Sequence, residues 1–252
     1  MNGKVKSLTG TYSFAGRTVR ISTIYENLHE VCADYRTSGA ADFEVSTGRA
    51  DIAFEREKSA REDEIEGIPV RQFPDEYLET LAVCRKIAEK MPEFGTILFH
   101  GSCVAVEGEG YLFTAKSGTG KSTHTRLWRE LLGGRAVMVN DDKPLIRLTE
   151  EGALIYGTPW DGKHHLNTNI SVPLKAVCIL ERAEGNSIRP VSVREAYPML
   201  LQQAYRPADA GKMRLTLKLI DRLASAVRLW RLGCNMDISA AKTAFEAMKE
   251  GT

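Results

Sequence analysis

One nine-residue stretch, residues 115–123, constrains this chain more than any other. It reads Ala-Lys-Ser-Gly-Thr-Gly-Lys-Ser-Thr, follows an apolar strand-like run over 111–114 and leads into a helical pattern over 123–132. A strand, a glycine-rich loop ending in Gly-Lys-Ser and a helix form the arrangement that a phosphate-binding loop (P-loop) requires. Successive backbone N–H groups and the helix N-terminus make such a loop an anion site. The pattern therefore predicts a nucleotide-phosphate site.

The residue types in the P-loop assign individual roles. Lys121 is expected to reach the β- and γ-phosphates, and the Ser122 hydroxyl to ligate Mg²⁺. The first glycine of the usual pattern is Ala115 here, which fits only if its φ stays negative. The predicted nucleotide contacts are Lys116, Ser117, Gly118, Thr119, Gly120, Lys121, Ser122 and Thr123. ATP and Mg²⁺ are the expected cofactors.

Composition narrows the class of protein. The 252 residues are 43% hydrophobic and carry a formal net charge of +1, with positive and negative residues interspersed. We therefore expect neither a basic stripe that binds nucleic acid nor a basic patch that binds a membrane. The five cysteines are scattered without CxxC spacing, which is typical of reduced thiols. No apolar run approaches the ~18 residues of a transmembrane helix, and the N-terminus lacks a signal-peptide core. We expect a cytoplasmic protein that could form homo-oligomers.

Two domains are predicted. Residues 1–72 form a small β-rich unit, which could pack onto the core rather than be independent, and residues 73–252 form the domain that carries the P-loop. Within the first unit, alternating residues on either side of Ala15-Gly16-Arg17 predict a hairpin. A second hairpin is predicted over 43–55, and the charged run over 55–66 is interpreted as a solvated loop.

The second domain has a different pattern. From residue 96 onward, strand-like and helical segments alternate, with helices predicted near 192–204, 213–227 and 238–248. This alternation predicts an α/β fold, with α+β tendencies, in which a mixed sheet carries the P-loop.

Two carboxylates follow an apolar strand downstream of the P-loop. The strand over 136–140 ends in Asp141-Asp142, and a carboxylate at the end of a neighbouring strand can reach P-loop Mg²⁺. Because successive side chains point in different directions, the pair suggests one metal ligand and one base for an attacking hydroxyl. His100, at the end of an earlier strand, is expected near the same end of the sheet, where it could orient a carboxylate or stabilise charge.

The order of these motifs resembles a known family. His100-Gly101, the turn at 108–110, the P-loop and the strand into Asn140-Asp141-Asp142 follow one another as in the catalytic domain of HPr kinase/phosphorylase. That family shares its P-loop core with phosphoenolpyruvate carboxykinases. The resemblance covers about residues 97–148, a fifth of the chain, and implies a P-loop-containing, carboxykinase/HPr-kinase-like core.

The resemblance also implies a phosphotransferase. By motif, Lys121, Asp141 and His100 would be catalytic, with Asp141 as the base, and Ser122 and Asp142 would hold the metal; the order of the two aspartates could be reversed. Thr123 departs from the acidic residue usual in HPr kinases, and the later Pro-Gly-Arg-Asn-type signature is absent from residues 190–252. An ATP-dependent kinase acting on a hydroxyl of a small molecule, peptide or protein is therefore expected. The alternatives are a nucleotide-binding regulatory protein without phosphotransfer and a bifunctional kinase/phosphorylase.

The acceptor site is predicted in the polar loop over 157–169. Trp160 could stack on a ring or simply anchor the loop, Lys163 could meet phosphate, and Asn169 adds a polar contact. Arg206, in the C-terminal region, is a further candidate phosphate contact, although an ordinary helix-end arginine fits the pattern as well.

Overall fold

The computed structural model describes residues 7–250. Contacts divide the chain into two units, one up to Glu89 and one from Lys90. None of the helices in the described part is both long and apolar enough to cross a membrane.

The first unit contains a three-stranded sheet. Strands β1 (Leu8–Phe14) and β2 (Arg17–Thr23) form an antiparallel hairpin, and β3 (Phe43–Ser46) pairs with β2 in parallel. The hairpin turns at Ala15 and Gly16, which both have positive φ, as a two-residue turn of the right twist requires. The first predicted hairpin is therefore confirmed.

The second predicted hairpin is wrong. Residues predicted as its second strand and the following charged loop form one helix, α2 (Arg49–Glu66), after the short α1 (Asn27–Val31). Alternating apolar residues at Ile52 and Phe54 suggested a strand, but Ile52 is buried and Phe54 exposed on the helix. With α3 (Asp75–Lys90) included, helices hold more residues of this unit than strands do, so "β-rich" describes only part of it.

Helix α3 is attached to the first unit through a buried carboxylate. Glu79, 1% exposed, accepts hydrogen bonds from the backbone N–H groups of Ile24 and Tyr25, both at 2.8 Å, and from the Thr47 hydroxyl at 2.7 Å. The boundary between the two units thus falls at the last residue of α3, whereas the sequence placed this helix in the second domain. The division into separate domains at residues 72/73 stays a prediction.

The second unit is built on a mixed sheet. Its main strand order is β4-β8-β9-β10-β6-β5-β7, and β12 pairs with both β10 and β11. The strands are β4 (Thr96–Leu98), β5 (Ser102–Val106), β6 (Glu109–Thr114), β7 (Ala136–Asn140), β8 (Leu145–Leu148), β9 (Ala153–Tyr156), β10 (Ser171–Arg182), β11 (Ser187–Pro190) and β12 (Arg228–Cys234). Strand β10 is long and joins the antiparallel part of the sheet, formed with β9, to its parallel part, formed with β6 and β12. It pairs antiparallel with β9 at its start and parallel with β6 and β12 further on.

Helices cover both faces of this sheet. They are α4 (Lys121–Leu132), α5 (Val193–Gln203), α6 (Ala210–Ala226) and α7 (Ile238–Lys249). Val177 and Ile179 of β10 join the core under α5 and α6, and Cys178 joins the core under α4 and α7. This alternation is expected of a strand buried on both faces. The α/β interpretation with a mixed sheet is therefore confirmed for this unit.

Candidate functional site

The strand directions bring the predicted site to one edge of the second sheet. Strand β5 is antiparallel to both β6 and β7, so β6 and β7 end at the same edge, where β5 begins. Strand β10 is parallel to β6 and also ends there. The P-loop follows β6, the two aspartates follow β7, and His100 precedes β5.

The P-loop backbone is shaped by two glycines. Gly118 and Gly120 have φ of +73° and +122°, a region that favours residues without Cβ. Ala115 is fully buried and does not have a positive φ, which explains why alanine is accepted at the first position. Gly120 is the N-cap of α4 and no side chain caps this end of the helix. The first N–H groups of α4 are therefore available to an anion.

Lys121 folds back over the loop. Its residue is 9% exposed, and Nζ donates a hydrogen bond to the Ala115 carbonyl at 3.2 Å. Burial lowers the pKa of Lys121, and the negative charges of Asp142 and Asp141 oppose that effect. The ammonium group thus lies between the loop and the carboxylates, where it can meet a phosphate chain bound to the loop.

Asp141 is held by hydroxyl groups. It is 5% exposed, and its Oδ1 accepts a hydrogen bond from Ser102 Oγ at 2.6 Å. Ser102 Oγ is also 2.8 Å from Thr125 Oγ1 on α4. Burial raises the pKa of Asp141, and hydrogen bonds from Ser102 and Ser122 lower it. Asp141 is therefore the carboxylate that contacts the predicted magnesium ligand, Ser122.

Asp142 faces basic groups instead. Its Oδ1 lies 3.3 Å from His100 Nε2, and its Oδ2 pairs with Lys143 Nζ. Burial alone would raise the pKa of Asp142, but the hydrogen bond with His100 and the charge of Lys143 hold it far below the usual range. The Asn140 side chain shapes this turn, because its Oδ1 accepts from the N–H groups of Asp142 and Lys143 at 2.8 and 2.7 Å. Asp142 is thus a fixed, ionised carboxylate.

The polar loop over 157–169 is anchored beside the aspartates. Asn140 Nδ2 donates to the Thr158 carbonyl at 2.9 Å, and Lys143 N–H donates to the Trp160 carbonyl at 3.2 Å. Trp160 is 6% exposed, which favours the anchoring interpretation; a ligand contact by Trp160 stays a prediction. Buried Asp161 accepts from Asn167 Nδ2 at 2.6 Å. The loop is thus tied to the strand end that carries the catalytic candidates.

Gly157 makes this anchoring possible. A Cβ at this position would lie 1.9 Å from the Thr168 carbonyl oxygen and 2.8 Å from that of Val139. We expect Gly157→Ala to destabilise the second unit by about 3 kcal/mol, because two backbone segments must separate. Gly134→Ala is the matched control, since a Cβ there meets nothing within 4 Å and its φ is not in the strained range. Thermal unfolding of both variants measures the difference, and equal midpoints would contradict the close approach.

The remaining predicted residues lie around this edge. Lys163 and Asn169 are exposed on the loop, and Arg206 is exposed next to Tyr205, whose N–H donates to the Leu98 carbonyl at 2.8 Å. That bond places the backbone of Arg206 near the strand that leads to His100. Their roles as acceptor contacts stay predictions.

Sequence reasoning missed several residues at this edge. Ser102 and Lys143, which hold the two aspartates, were not singled out, and neither was Arg182 at the end of β10. Arg182 Nη2 donates to the Gly118 carbonyl at 2.5 Å. A serine that begins a strand carries no signal on its own, but Lys143 directly follows Asp142 and could have been noticed.

A cavity of about 470 Å³ opens on the other side of the P-loop from the aspartates. It is lined by P-loop residues, by Thr123, His124 and Leu127 of α4 and by residues at the ends of β10 and β12. His124 lines it and is 2% exposed; burial lowers the pKa of His124 to about 4. The site therefore combines an anion loop, a buried lysine, two carboxylates and an adjoining partly apolar cavity.

The chain matches one protein-family model and is similar to solved structures. The family model described as "SynChlorMet cassette protein ScmC" matches residues 73–223. No curated protein matches the chain. Among solved structures, the HPr(Ser) kinase/phosphatase from Coxiella burnetii is similar with 10% identity and a TM-score of 0.33, over 60% of this chain and 98% of that one. A likeness at that TM-score is too weak to support an argument about fold or function. Because the family model covers more than half of the 252 residues, the chain belongs to the ScmC family of SynChlorMet cassette proteins.

Proposed function

We propose that this protein is an ATP- and Mg²⁺-dependent kinase that transfers the γ-phosphoryl group to a hydroxyl of a small molecule, peptide or protein. One observation carries the proposal. Lys121, Ser122, Asp141 and Asp142 converge at one sheet edge, on an uncapped helix N-terminus. An anion loop alone would fit any nucleotide-binding protein, but two carboxylates with separate partners beside it fit phosphoryl transfer.

The donor set fits Mg²⁺ delivered with a nucleotide. The Ser122 hydroxyl and the Asp141 carboxylate are oxygen ligands of the kind that Mg²⁺ takes. Among residues 7–250 no group of three or more His, Cys, Asp or Glu residues could hold a metal by itself. Mg²⁺ usually keeps waters and phosphate oxygens among its ligands, so few protein donors are needed. When bound, the ion would neutralise charge on the β- and γ-phosphates.

Geometry favours Asp141 as the metal ligand and Asp142 as the base, the reverse of the order preferred from sequence. Ser122 is close enough to Asp141 to lower the pKa of that carboxyl group, whereas Asp142 faces His100 and Lys143. The pKa directions point the other way, because the raised pKa of Asp141 suits a base better than the lowered pKa of Asp142. We give the contacts more weight, since a nearby divalent cation changes the pKa of both carboxyl groups.

The residues then divide the reaction between them. Lys121 and the loop N–H groups hold the phosphates and stabilise the transferring charge. Asp142, oriented by His100, accepts a hydrogen bond from the acceptor hydroxyl and takes its proton as the new P–O bond forms. The bond between the γ-phosphorus and the bridging oxygen breaks, and ADP leaves. A carboxylate with a low pKa suffices for this task because the transition state is loose and the proton moves late.

A labelling experiment tests the proposed function. The protein is incubated with Mg²⁺ and ATP labelled at the γ-phosphorus, together with fractionated small molecules and peptides from the source cells. We expect the label to appear on one hydroxyl-bearing fraction in a Mg²⁺-dependent way. If the protein bound ATP but transferred the labelled γ-phosphoryl group neither to any fraction nor to water, a nucleotide-binding regulatory protein would be favoured.

A further inference from the structure

Arg182 supplies a positive charge at the P-loop that no carboxylate neutralises among residues 7–250. Its side chain is exposed, and its Nη2 donates a hydrogen bond to the Gly118 carbonyl of the loop at 2.5 Å. The preceding residue, Glu181, pairs with Arg231 instead of Arg182. A guanidinium group has five N–H donors, and the bond to Gly118 uses one of them. The side chain therefore keeps donors for an anion bound at the loop.

The sheet fixes where this side chain begins. Strand β10 ends at Arg182, where its backbone pairs with Cys234 of β12. Side chains alternate along a strand, so Arg182 shares the face of Leu180, which is buried in the core under α4 and α7. Helix α4 directly follows the P-loop, and the hydrogen bond to Gly118 shows that the arginine extends along this face to the loop. A strand thus holds the guanidinium group beside the loop.

The cavity beside the P-loop opens onto this arginine. Gly118, Thr119 and Gly120 of the loop share its lining with Arg182. Among the described residues that line it, Arg182 alone has a full charge, because burial lowers the pKa of His124 to about 4 and leaves that ring neutral at pH 7. A phosphate group that lies on the loop at this side therefore meets one cation and no carboxylate.

The strand order determines which phosphate lies nearest Arg182. The strands run β10-β6-β5-β7 across the sheet, so Arg182 lies on one side of the P-loop and the two aspartates lie on the other. Lys121 lies between the loop and the aspartates, on the side where the γ-phosphate is transferred. The phosphate chain then crosses the loop towards β10, and the α-phosphate lies on the side of Arg182.

We infer that Arg182 is a further nucleotide-binding residue, whose guanidinium group donates a hydrogen bond to the α-phosphate of the nucleotide at the P-loop. Arginine suits this position because its planar group can bond a loop carbonyl and a phosphate oxygen at the same time. The α-phosphate is not transferred, so the contact strengthens nucleotide binding without favouring the transition state. The inference rests on the proposed nucleotide site and adds a contact from β10.

Calorimetric titration with ATP·Mg²⁺ and ADP·Mg²⁺ gives the first test. We expect Arg182→Ala to weaken the binding of both nucleotides by about tenfold, because each loses a charge-assisted hydrogen bond. Arg189→Ala is the matched control, since Arg189 lies on β11 of the same sheet, is exposed and is paired with Glu195. Its affinity for both nucleotides should stay within about twofold of the wild type. No loss in Arg182→Ala, or equal losses in the two variants, would overturn the inference.

A second measurement separates a direct phosphate contact from a purely structural role in the loop. The Rp and Sp isomers of ATPαS each replace one non-bridging α-oxygen by sulfur, which is a weak hydrogen-bond acceptor. One isomer should bind the wild type about tenfold more weakly than ATP, and should bind Arg182→Ala no more weakly than ATP does. Equal binding of ATP and both isomers to the wild type, or the same sulfur effect in both proteins, would overturn the inference while leaving the phosphate site intact. Failure of the wild type to bind ATP would instead reject the proposed function, and this inference with it.

Discussion

Lys121→Ala should abolish detectable ATP·Mg²⁺ binding, a loss of at least about 100-fold, because the lysine supplies the buried positive charge between the loop and the two carboxylates. Without it, the γ-phosphate would face Asp141 and Asp142 with one cation fewer, so repulsion adds to the lost attraction. Calorimetric titration of the purified protein with ATP·Mg²⁺ measures the effect.

A charge-matched variant separates this effect from a general change in charge. Arg126→Ala removes one positive charge from the same helix, but Arg126 is exposed and paired with Glu130. Exposed ion pairs contribute little, so we expect its affinity for ATP to stay within about threefold of the wild type. Tight ATP binding by Lys121→Ala would reject the P-loop assignment, and equal losses in both variants would attribute binding to net charge alone.

The second large effect separates the two aspartates. Asp142→Asn should lower the rate of phosphoryl transfer by about 10²- to 10⁴-fold, because the amide cannot accept the hydroxyl proton, while ATP·Mg²⁺ binding changes little. Asp141→Asn should instead raise the Mg²⁺ concentration needed for half-maximal activity and weaken ATP binding only when Mg²⁺ is present. Titrations with and without Mg²⁺ and single-turnover rates of ADP formation distinguish the two variants.

If Asp141→Asn lowered the transfer rate and Asp142→Asn raised the Mg²⁺ requirement, the assignment preferred from sequence would hold instead. Asp141 would then be the base and Asp142 the metal ligand. Unchanged transfer rates in both variants would remove the carboxylate pair from the mechanism altogether. His100→Gln offers a graded companion, because it alters the residue that orients Asp142 without touching the carboxylate itself. We expect its effect on the transfer rate to be smaller than that of Asp142→Asn.

The parts of the site that are local in sequence could be predicted from it. The P-loop is a contiguous strand, loop and helix, and its glycines lie where the backbone needs positive φ. The aspartates directly end a strand, so their position at the sheet edge followed from the strand itself. Alanine can replace the usual glycine at position 115 as long as the φ of that residue is negative. In each case the physical cause lies within a few residues of its effect.

Contacts between distant segments could not be predicted in this way. Ser102 contacts Asp141, and Arg182 reaches Gly118 across 64 residues of chain. The preference between Asp141 and Asp142 also depends on such contacts, since the sequence alone shows two adjacent carboxylates with equal access to the loop.

Helix α2 shows a different reason for failure. Its polar composition suggested a solvated loop, yet Glu55 and Asp63 on this helix are 2% and 0% exposed. Each carboxylate is paired with an arginine from outside the helix: Glu55 with Arg85 at 2.5 Å, and Asp63 with Arg71 at 2.6 Å. Buried charges of this kind require partners, and those partners come from later segments. The pattern of apolar residues alone therefore gave too little evidence for the helix.

A crystal structure with Mn²⁺ and a non-hydrolysable ATP analogue tests the account most directly, because the anomalous signal of manganese locates the metal independently of the phosphates. We predict a metal peak bonded to the Ser122 hydroxyl and Asp141, phosphates on residues 115–123 with Lys121 at the γ-phosphate, and Asp142 facing the γ-phosphorus without touching the metal. A nucleotide bound elsewhere, or a metal held by Asp142 instead of Asp141, would contradict it.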